Sequence, residues 1–449
     1  MSLLDPHRNA RFAGQALKDA EPEPTRLLAA LDFGASKTVC LIGRASADAV
    51  AVAGVGFAKP QTGSDGAPLD FDACARAIRI AVDQAERMAG ETISSVTAAF
   101  GGKGLSSRLA VAEIPLSPGP ITPKAVRAAL VAALANGAPA PGRIVLHAIP
   151  LGYRIDDGQL LPDPRGGAGR RLTAELTIVT APAGAVAALV DCVMEAGLRV
   201  NRVVASPYAA GLAVLAPEEC LMGAAALDFG AANVGVAAFA GGNLVLCECA
   251  PGGGASLTAD IAARIGSTFA AAERVKLLYG GFTDGPPAEN PVEIPRLGGD
   301  GRLEAATISR GTIIEAMGPR LEEMLAAAKA RLAPVFDREG SRPWRVAATG
   351  GCAQLSGMRD LAEHMLGRPV RAGRPVGYGV LDDGAQAPAF AVAAGLLRYE
   401  VLAPAEASVE GPDLTVERLE SRPSRAPIAL GAGMSGAMGK AWTWLKENF

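Results

Sequence analysis

Two aspartates, Asp32 and Asp228, occupy the same position in a hexapeptide, Ala-Leu-Asp-Phe-Gly-Ala, that occurs at residues 30–35 and again at 226–231. Each copy follows an apolar run that predicts a buried strand, and a glycine-containing turn and a second apolar run come after it. An Asp at a strand end, next to a glycine that lets backbone N–H groups turn inward, suits a Mg²⁺-bound phosphate. Two such hairpins facing each other would hold one nucleotide from both sides.

The elements around this repeat predict a duplicated α/β fold. Two strand–turn–strand units about one domain length apart indicate two facing halves. Sequence periodicity predicts helices at 71–88, 123–135, 185–196, 313–331 and 358–366, and strands at 93–101, 143–149, 172–180 and 345–351. Strands that alternate with helices are typical of α/β layers.

A third glycine-containing turn supports the nucleotide hypothesis. The run Thr349-Gly350-Gly351 ends a predicted strand and precedes a predicted helix. Glycines at such a place let adenine or phosphate approach the backbone closely. This signal is weak alone, and it gains weight as the third loop after two Asp-Phe-Gly hairpins.

Composition narrows the class of protein. The chain has 449 residues, 49% of them hydrophobic and 20% charged, which predicts a globular protein with room for two domains. With a net charge of −3, the chain has no excess positive charge to attract nucleic acid. The seven cysteines have no convincing pairing pattern, and with three histidines a structural metal site is not expected. A reduced, cytosolic compartment fits this composition best.

Membrane insertion is not predicted. Residues 1–25 contain charges without an apolar core, so they predict a tail rather than an export signal. The uncharged stretch from Phe229 to Cys247 is long enough to span a bilayer, but Gly241-Gly242-Asn243 within it is a hairpin signal. Two buried strands are therefore expected there.

The last sixteen residues predict an amphipathic helix. One face would carry Met434, Met438, Ala441, Trp442, Leu445 and Phe449, and the polar residues Lys440, Thr443, Lys446 and Glu447 flank or oppose it. A stretch at 403–433 with four prolines precedes this helix and predicts a linker. The simplest alternative is a helix docked on its own core, but such a helix needs no long linker. We expect a weak, reversible membrane anchor that becomes durable when several copies act together.

These residues resemble the actin-like ATPase superfamily and, within it, the FtsA family of bacterial cell-division proteins. The segments that carry the resemblance are 32–38, 227–233, 348–355, 272–276 ahead of Tyr279-Gly280, 94–102, 145–150, 388–397 and the ending 442–449. Their order and spacing together are specific, although no single segment is.

The resemblance implies an actin-like, ribonuclease H-like fold of two duplicated domains around a cleft for ATP and Mg²⁺. The implied nucleotide-binding residues are Asp32, Gly34, Ala35, Ser36 and Lys37 in a first phosphate loop, Asp228, Gly230, Ala231, Ala232 and Asn233 in a second, Gly350, Gly351 and Cys352 in an adenosine motif, and Glu273 and Lys276 on a helix that borders ribose and adenine. Asp32 and Asp228 would hold the metal. Met438, Trp442, Leu445 and Phe449 would meet the membrane, and no residue is assigned a catalytic role.

The resemblance also implies a domain plan and partners. The implied segments are a tail (1–25), subdomain 1A (26–103 and 183–221), an inserted subdomain 1C (104–182), subdomain 2A (222–254 and 341–402), subdomain 2B (255–340), the linker (403–433) and the membrane-targeting helix (434–449). The implied partners are FtsZ on subdomain 2B, further copies of the chain in head-to-tail filaments, the membrane surface and other division proteins. The implied place is the inner face of the cytoplasmic membrane at the septum.

The second loop departs from the family pattern Asp-Ile-Gly-Gly-Gly-Thr, in which an Asp follows two residues after the Thr. Here Ala231, Ala232, Asn233 and Gly235 take the corresponding places. An Ala would be strained wherever the fold needs a positive φ. Because a carboxylate that could orient water is missing at Gly235, we expect ATP binding with very slow hydrolysis.

Alternatives stay open at this point. Both aspartates could simply cap turns, Lys37 could be a solvated surface lysine, and Glu273 and Lys276 could form a helix-surface ion pair. His147 is expected to be a core histidine. Other functions on the same fold are a small-molecule kinase, which needs a carboxylate base in the cleft, and another actin-like scaffold of the pilus-assembly or chaperone type. A protein kinase is excluded, because no His-Arg-Asp loop precedes either Asp-Phe-Gly.

Overall fold

A computed structural model describes residues 26–46, 49–60, 70–282, 289–338, 344–378 and 387–406. The predicted tail and the predicted amphipathic helix lie outside these residues, as does most of the predicted linker. The last described helix continues to Glu406, so it extends past residue 403, where the linker was expected to begin.

The described elements alternate along the chain as predicted. The strands are β1 (Arg26–Phe33), β2 (Thr38–Ala45), β3 (Val50–Ala58), β4 (Ser95–Phe100), β5 (Ser106–Pro115), β6 (Arg143–Ile155), β7 (Arg171–Pro182), β8 (Arg199–Ala205), β9 (Ala224–Phe229), β10 (Asn233–Ala240), β11 (Asn243–Pro251), β12 (Pro291–Leu297), β13 (Leu303–Ser309), β14 (Arg345–Thr349) and β15 (Val370–Ala372). The α-helices are α1 (Phe71–Ala89), α2 (Pro123–Asn136), α3 (Ala183–Glu195), α4 (Ser206–Val214), α5 (Pro217–Met222), α6 (Gly254–Ile265), α7 (Phe269–Tyr279), α8 (Arg310–Arg338), α9 (Met358–Leu366) and α10 (Ala391–Glu406).

Two five-stranded sheets share one topology, which confirms the duplicated fold. Their strand orders are β3-β2-β1-β4-β8 and β11-β10-β9-β14-β15. The central strands β1 and β9 each run antiparallel to the next strand and parallel to the strand on the other side. Since the repeated Asp stands near the end of each central strand, the two sheets present Asp32 and Asp228 at equivalent places.

Small residues let the first-half helix approach its sheet closely. Helix α1 begins after Asp70, whose side chain accepts the N–H groups of Asp72 and Ala73, and ends at Gly90 in the left-handed region. A Cβ atom on Gly54 or Gly56 of β3 would lie 2.1 or 1.9 Å from a backbone oxygen of this helix. The glycines therefore set the distance between helix and sheet.

A separate small domain is inserted into the first half. Strands β5, β7 and β6 form a three-stranded antiparallel sheet, and helix α2 packs on it. This sheet has its own apolar core, which includes Ile121, Leu172 and Ile178. The insertion also contacts the second half, because the N–H of Cys247 in β11 donates to Ser107 Oγ at 2.8 Å.

The second half carries α6, α7, the β12–β13 hairpin and the 29-residue helix α8 over its own core. The uncharged stretch at 229–247 forms parts of β9, β10 and β11, and Gly241 and Gly242 have positive φ in the hairpin turn, as predicted. Among the described residues, no helix has the length and apolarity needed to cross a bilayer.

The last helix returns to the first half. Helix α10 packs on α4 and on strands β1 and β2, and a Cβ on Gly395 would lie only 1.7 Å from the backbone oxygen of Ala209. The assignment of all of 341–402 to the second half is therefore wrong for this helix. Its apolar sequence gave no indication of which sheet it would cover.

Candidate functional site

The two phosphate loops predicted from the repeat have the same backbone turn. The N–H of Gly34 donates to the oxygen of Lys37 at 3.1 Å, and the N–H of Gly230 donates to the oxygen of Asn233 at 3.1 Å. A Cβ on either glycine would lie 3.0 to 3.1 Å from that same oxygen. Both turns therefore favour glycine for one reason, namely the close approach of a carbonyl three residues later.

The loops bring Asp32, Asp228 and Lys37 within electrostatic reach of one another. Burial raises the pKa of Asp32 from 3.8 to about 6, against the effect of the Lys37 charge. Burial and then the Asp32 charge raise the pKa of Asp228 from 3.8 to about 7. The charge of Asp32 thus acts on Asp228, so the two carboxylates of the predicted pair lie within electrostatic range of one another.

Neither carboxylate is used to cap its own turn. Among the described residues, no protein donor contacts the side-chain carboxylate of Asp32 or of Asp228, and both side chains are only partly exposed. Carboxylate oxygens that lose water without gaining a donor are unfavourable when ionised. Such a pair is suited to a cation, so the turn-cap alternative does not describe these residues.

Lys37 is not a solvated surface lysine. Burial lowers its pKa, while the charges of Asp32 and Asp228 act in the opposite direction. Its Nζ lies 4.3 Å from the ring centroid of Phe390, a residue of the short 3₁₀ turn Pro388–Phe390. The lysine is therefore held between the carboxylate pair and a segment that sequence reasoning did not assign to the site.

The predicted adenosine loop lies against the second aspartate. Strand β14 runs parallel to β9 and pairs Thr349 with Asp228. Gly350 has a φ of +88°, and a Cβ on it would lie 2.4 Å from Asp228 Oδ1. Apart from its chain neighbours, no atom of the part of the chain that the structure describes lies within 4 Å of the place where a Cβ on Gly351 would be. Gly350 is therefore required by the backbone conformation and by the contact with Asp228, whereas Gly351 leaves open space beside the loop.

Helix α6 supports the second loop from behind. The N–H groups of Gly254 and Ala255 donate to the oxygens of Gly230 and Ala231, both at 2.9 Å. A Cβ on Gly253 would lie 2.3 Å from Ala231 O, so the contact needs glycine there. The run Gly252-Gly253-Gly254 is visible in the sequence, and it is the signal by which this contact could have been found.

The remaining predicted site residues differ in burial and in what they contact. Ser36 is exposed on the first loop, and Cys352 is buried with its Sγ 3.9 Å from Gly230 O. Asn233 reaches the first half, where its Nδ2 lies 3.5 Å from Gly101 O. Glu273 and Lys276 form an ion pair at 2.8 Å, but Lys276 is buried, so the pair is not a surface one.

The departures in the second loop cause no backbone strain. Among the described residues, Asp156 is the non-glycine residue with positive φ, so Ala231 and Ala232 adopt ordinary conformations. A Cβ on Gly235 would lie 3.0 Å from Pro207 Cγ and 3.3 Å from Asp228 Cβ. Pro207 of α4 therefore occupies the space that a longer side chain at residue 235 would need, a feature that sequence reasoning missed.

His147 is a core histidine, as predicted. It is buried, its Nε2 accepts the N–H of Ala205 at 3.0 Å, and it packs edge-on against Tyr208 and Tyr399. Burial and the nearby Arg202 charge lower its pKa to about 3. It stays neutral near pH 7 and takes no part in the cleft.

Within the described ranges, no cluster of three His, Cys, Asp or Glu side chains could hold a metal ion alone. A cation at Asp32 and Asp228 would need its other ligands from water and phosphate oxygens, as Mg²⁺ commonly has them. The predicted membrane contacts Met438, Trp442, Leu445 and Phe449 lie outside the described residues.

Comparison with known proteins supplies a family and a fold. Residues 225–395 match the family described as "Cell division protein FtsA", and residues 102–180 match the "SHS2 domain inserted in FTSA". Cell division protein FtsA of Agrobacterium fabrum is 31% identical over 98% of this chain and 99% of the relative. Cell division protein FtsA of Escherichia coli is 30% identical over 83% of this chain and 90% of the relative.

Solved structures show the same architecture at low identity. The chain aligns with the "PilM-PilN type IV pilus biogenesis complex" at a TM-score of 0.59 and 20% identity, over 84% of this chain and 99% of that one. It aligns with MreB5 of Spiroplasma citri bound to ADP at a TM-score of 0.51 and 13% identity, over 87% of this chain and 100% of that one. The predicted actin-like fold and its inserted domain are confirmed.

Proposed function

Since the chain belongs to the FtsA family of cell division proteins, we propose that it binds Mg²⁺–ATP in its cleft, assembles into actin-like filaments, and attaches FtsZ filaments to the inner face of the cytoplasmic membrane at the septum. The C-terminal amphipathic helix makes the attachment, and other division proteins join the assembly. One observation carries the nucleotide part of this proposal: the repeated loops bring one lysine together with two carboxylates that no protein donor contacts.

The residues present fit a magnesium–nucleotide. Two carboxylates and one ammonium leave a net negative charge in a partly buried site, and this charge attracts a divalent cation. Asp32 and Asp228 would hold the cation, Lys37 and the loop amides would meet phosphate oxygens, and the open space at Gly351 would admit the adenosine. MreB5, a protein of the same fold, is bound to ADP.

The cleft favours holding ATP over hydrolysing it. Hydrolysis needs a group that orients or deprotonates water beside the terminal phosphate. At residue 235 there is no side chain, and Pro207 fills the adjacent space. The bound nucleotide therefore acts as a structural or assembly switch, because it joins the two halves across the carboxylate pair.

Nucleotide binding is tested by calorimetric titration of the protein with ATP, with Mg²⁺ or with EDTA present. The wild-type protein should bind ATP much more tightly with Mg²⁺, and Asp32→Asn should remove most of that difference. The matched control is Asp83→Asn, at an exposed carboxylate on α1, which should bind as wild type does. Equal Mg²⁺-dependent binding by Asp32→Asn would contradict the proposed role of the pair.

Membrane attachment is tested by co-pelleting with lipid vesicles. The full chain should pellet with vesicles, and both Trp442→Glu and a chain that ends at Glu406, where α10 ends, should remain in the supernatant. Thr443→Glu places the same charge off the predicted apolar face and should still pellet. If Trp442→Glu lost ATP affinity instead of vesicle binding, the helix would be part of the folded core.

A further inference from the structure

The ammonium group of Lys276 is fully engaged inside the protein. Lys276 has an exposed fraction of only 5%. Its Nζ donates to Gly254 O at 3.0 Å, to Thr258 Oγ1 at 2.9 Å and to Glu273 Oε2 at 2.8 Å. A lysine ammonium has three hydrogens to donate. None is left over for a ribose, a base or a phosphate.

Two of the three acceptors of Lys276 lie on α6, the helix that supports the second phosphate loop. Gly254 is the first residue of α6, and Thr258 is one turn further along. The first N–H groups of a helix have no partner within it. Here those of Gly254 and Ala255 are taken by the oxygens of Gly230 and Ala231. Lys276 therefore fixes the helix end on which the loop rests.

This contact also sets the direction of the loop amides. In a trans peptide the C=O and the following N–H point to opposite sides. Because the oxygens of Gly230 and Ala231 face α6, the N–H groups of Ala231 and Ala232 point away from it. They are left on the side of the loop where a phosphate would be bound.

Packing leaves this arrangement little freedom. A Cβ on Gly254 would lie 2.5 Å from Cys352 Sγ and 3.3 Å from Lys276 Nζ, and one on Gly253 would lie 2.3 Å from Ala231 O. Helix, loop and lysine are thus in contact at a point where no side chain fits. A shift of the helix end would be transmitted directly to the loop.

We propose that Lys276 is a positioning residue that orients the second phosphate loop through α6, and that it makes no contact with the nucleotide. This inference rests on the proposed ATP binding and deepens it. It replaces the sequence-based expectation that Lys276 borders the adenosine. The two roles differ in which part of the ligand loses affinity when the lysine is removed: the phosphates in one case, the nucleoside in the other.

The test compares ATP, ADP and adenosine binding by Lys276→Met and the wild-type protein, measured by calorimetry with Mg²⁺ present. A loop N–H that no longer points at the phosphate loses one charge-assisted hydrogen bond to it, which weakens binding by about tenfold or more. We expect that loss for ATP and ADP, and a change of less than about twofold for adenosine. The matched control Lys329→Met removes an exposed lysine that also donates to a backbone oxygen, that of Met365, and should bind all three as wild type does.

Either of two results would overturn the proposal. An equal loss for adenosine would show direct contact, and unchanged ATP affinity would show that the loop does not depend on Lys276. If Lys276→Met does not fold, Thr258→Val removes one acceptor of the same network and should give the same pattern.

A second readout separates this inference from the proposed function. Amide hydrogen exchange of residues 230–233 in the nucleotide-free protein should be faster in Lys276→Met than in wild type and in Lys329→Met. Unchanged exchange would overturn the positioning role even if the wild-type protein binds ATP. A wild-type protein that binds no ATP or ADP would instead refute the proposed function, and the exchange comparison would still decide the role of Lys276.

Discussion

Replacing Asp228 with Asn should stabilise the nucleotide-free protein above neutral pH and, at the same time, remove Mg²⁺-dependent ATP binding. Burial and the Asp32 charge raise the pKa of Asp228 from 3.8 to about 7. A raised carboxyl pKa means that the ionised form is less favourable in the folded protein than in the unfolded chain. Asn keeps the shape of the side chain and removes the charge, so it relieves this cost.

The magnitude follows from the pKa. A rise from 3.8 to about 7 corresponds to an upper limit of about 4 kcal/mol at about 1.4 kcal/mol for each pKa unit. Asp228 is partly exposed, so water and counterions reduce this value. We expect Asp228→Asn to raise the free energy of unfolding by about 1–3 kcal/mol at pH 8.

The effect has a definite pH dependence. Between the unfolded and folded pKa values, the folded protein binds more protons than the unfolded chain, so wild-type stability falls as pH rises from about 4 to about 7. The advantage of Asp228→Asn should therefore be full above pH 7 and vanish near pH 4. The assay is urea unfolding in EDTA at several pH values, with the exposed Asp83→Asn as a control. Destabilisation at pH 8, or a gain that persists unchanged at pH 4, would refute the reasoning.

Further predictions concern the packing around the cleft. Gly350→Ala should lower the unfolding free energy by about 1–3 kcal/mol and weaken ATP binding. An alanine there would be strained by the positive φ, and its Cβ would lie 2.4 Å from Asp228 Oδ1. Gly351→Ala, with open space around the added Cβ, should change thermal stability little. Gly395→Ala should lower the melting temperature, because its Cβ would lie 1.7 Å from a backbone oxygen of α4. His147 should show no protonation between pH 5 and 8 by NMR, since its pKa is about 3; a titration in that range would show that it is not buried.

The loops of the site could be predicted because the residues that form each loop are contiguous in the sequence. A strand, an Asp, a Phe and a glycine turn are contiguous, and their repetition at 30–35 and 226–231 indicates equivalent places in two halves. The structure accordingly brings Asp32, Asp228 and Lys37 together. Helices and strands with clear periodicity were also placed correctly to within a few residues, apart from the longer α8 and β6.

What could not be predicted depends on contacts between distant segments. The ring of Phe390 over Lys37 and the contact of Pro207 with Gly235 join parts of the chain that no local pattern relates. Lys276 stands three residues after Glu273, which fits a surface pair as well as a buried one, and only the fold shows its burial. Helix α10 is apolar enough to cover either sheet, so its return to the first half was not foreseeable.

The two repeated loops have the same backbone turn, but only the first has a charged side chain at its fourth residue, so we expect the loops to have different roles. At the carbonyl that closes each turn, the first loop has Lys37 and the second has Asn233. A lysine there brings a positive charge to both carboxylates, whereas Asn233 brings an amide that reaches Gly101 in the other half. The second loop is in turn oriented from behind by a charge it does not itself carry, that of Lys276. The proposed nucleotide site therefore depends on two lysines, Lys37 beside the carboxylates and Lys276 behind the second loop. Since Pro207 takes the space beside residue 235, that residue cannot supply a third polar group to orient water at the proposed ATP site.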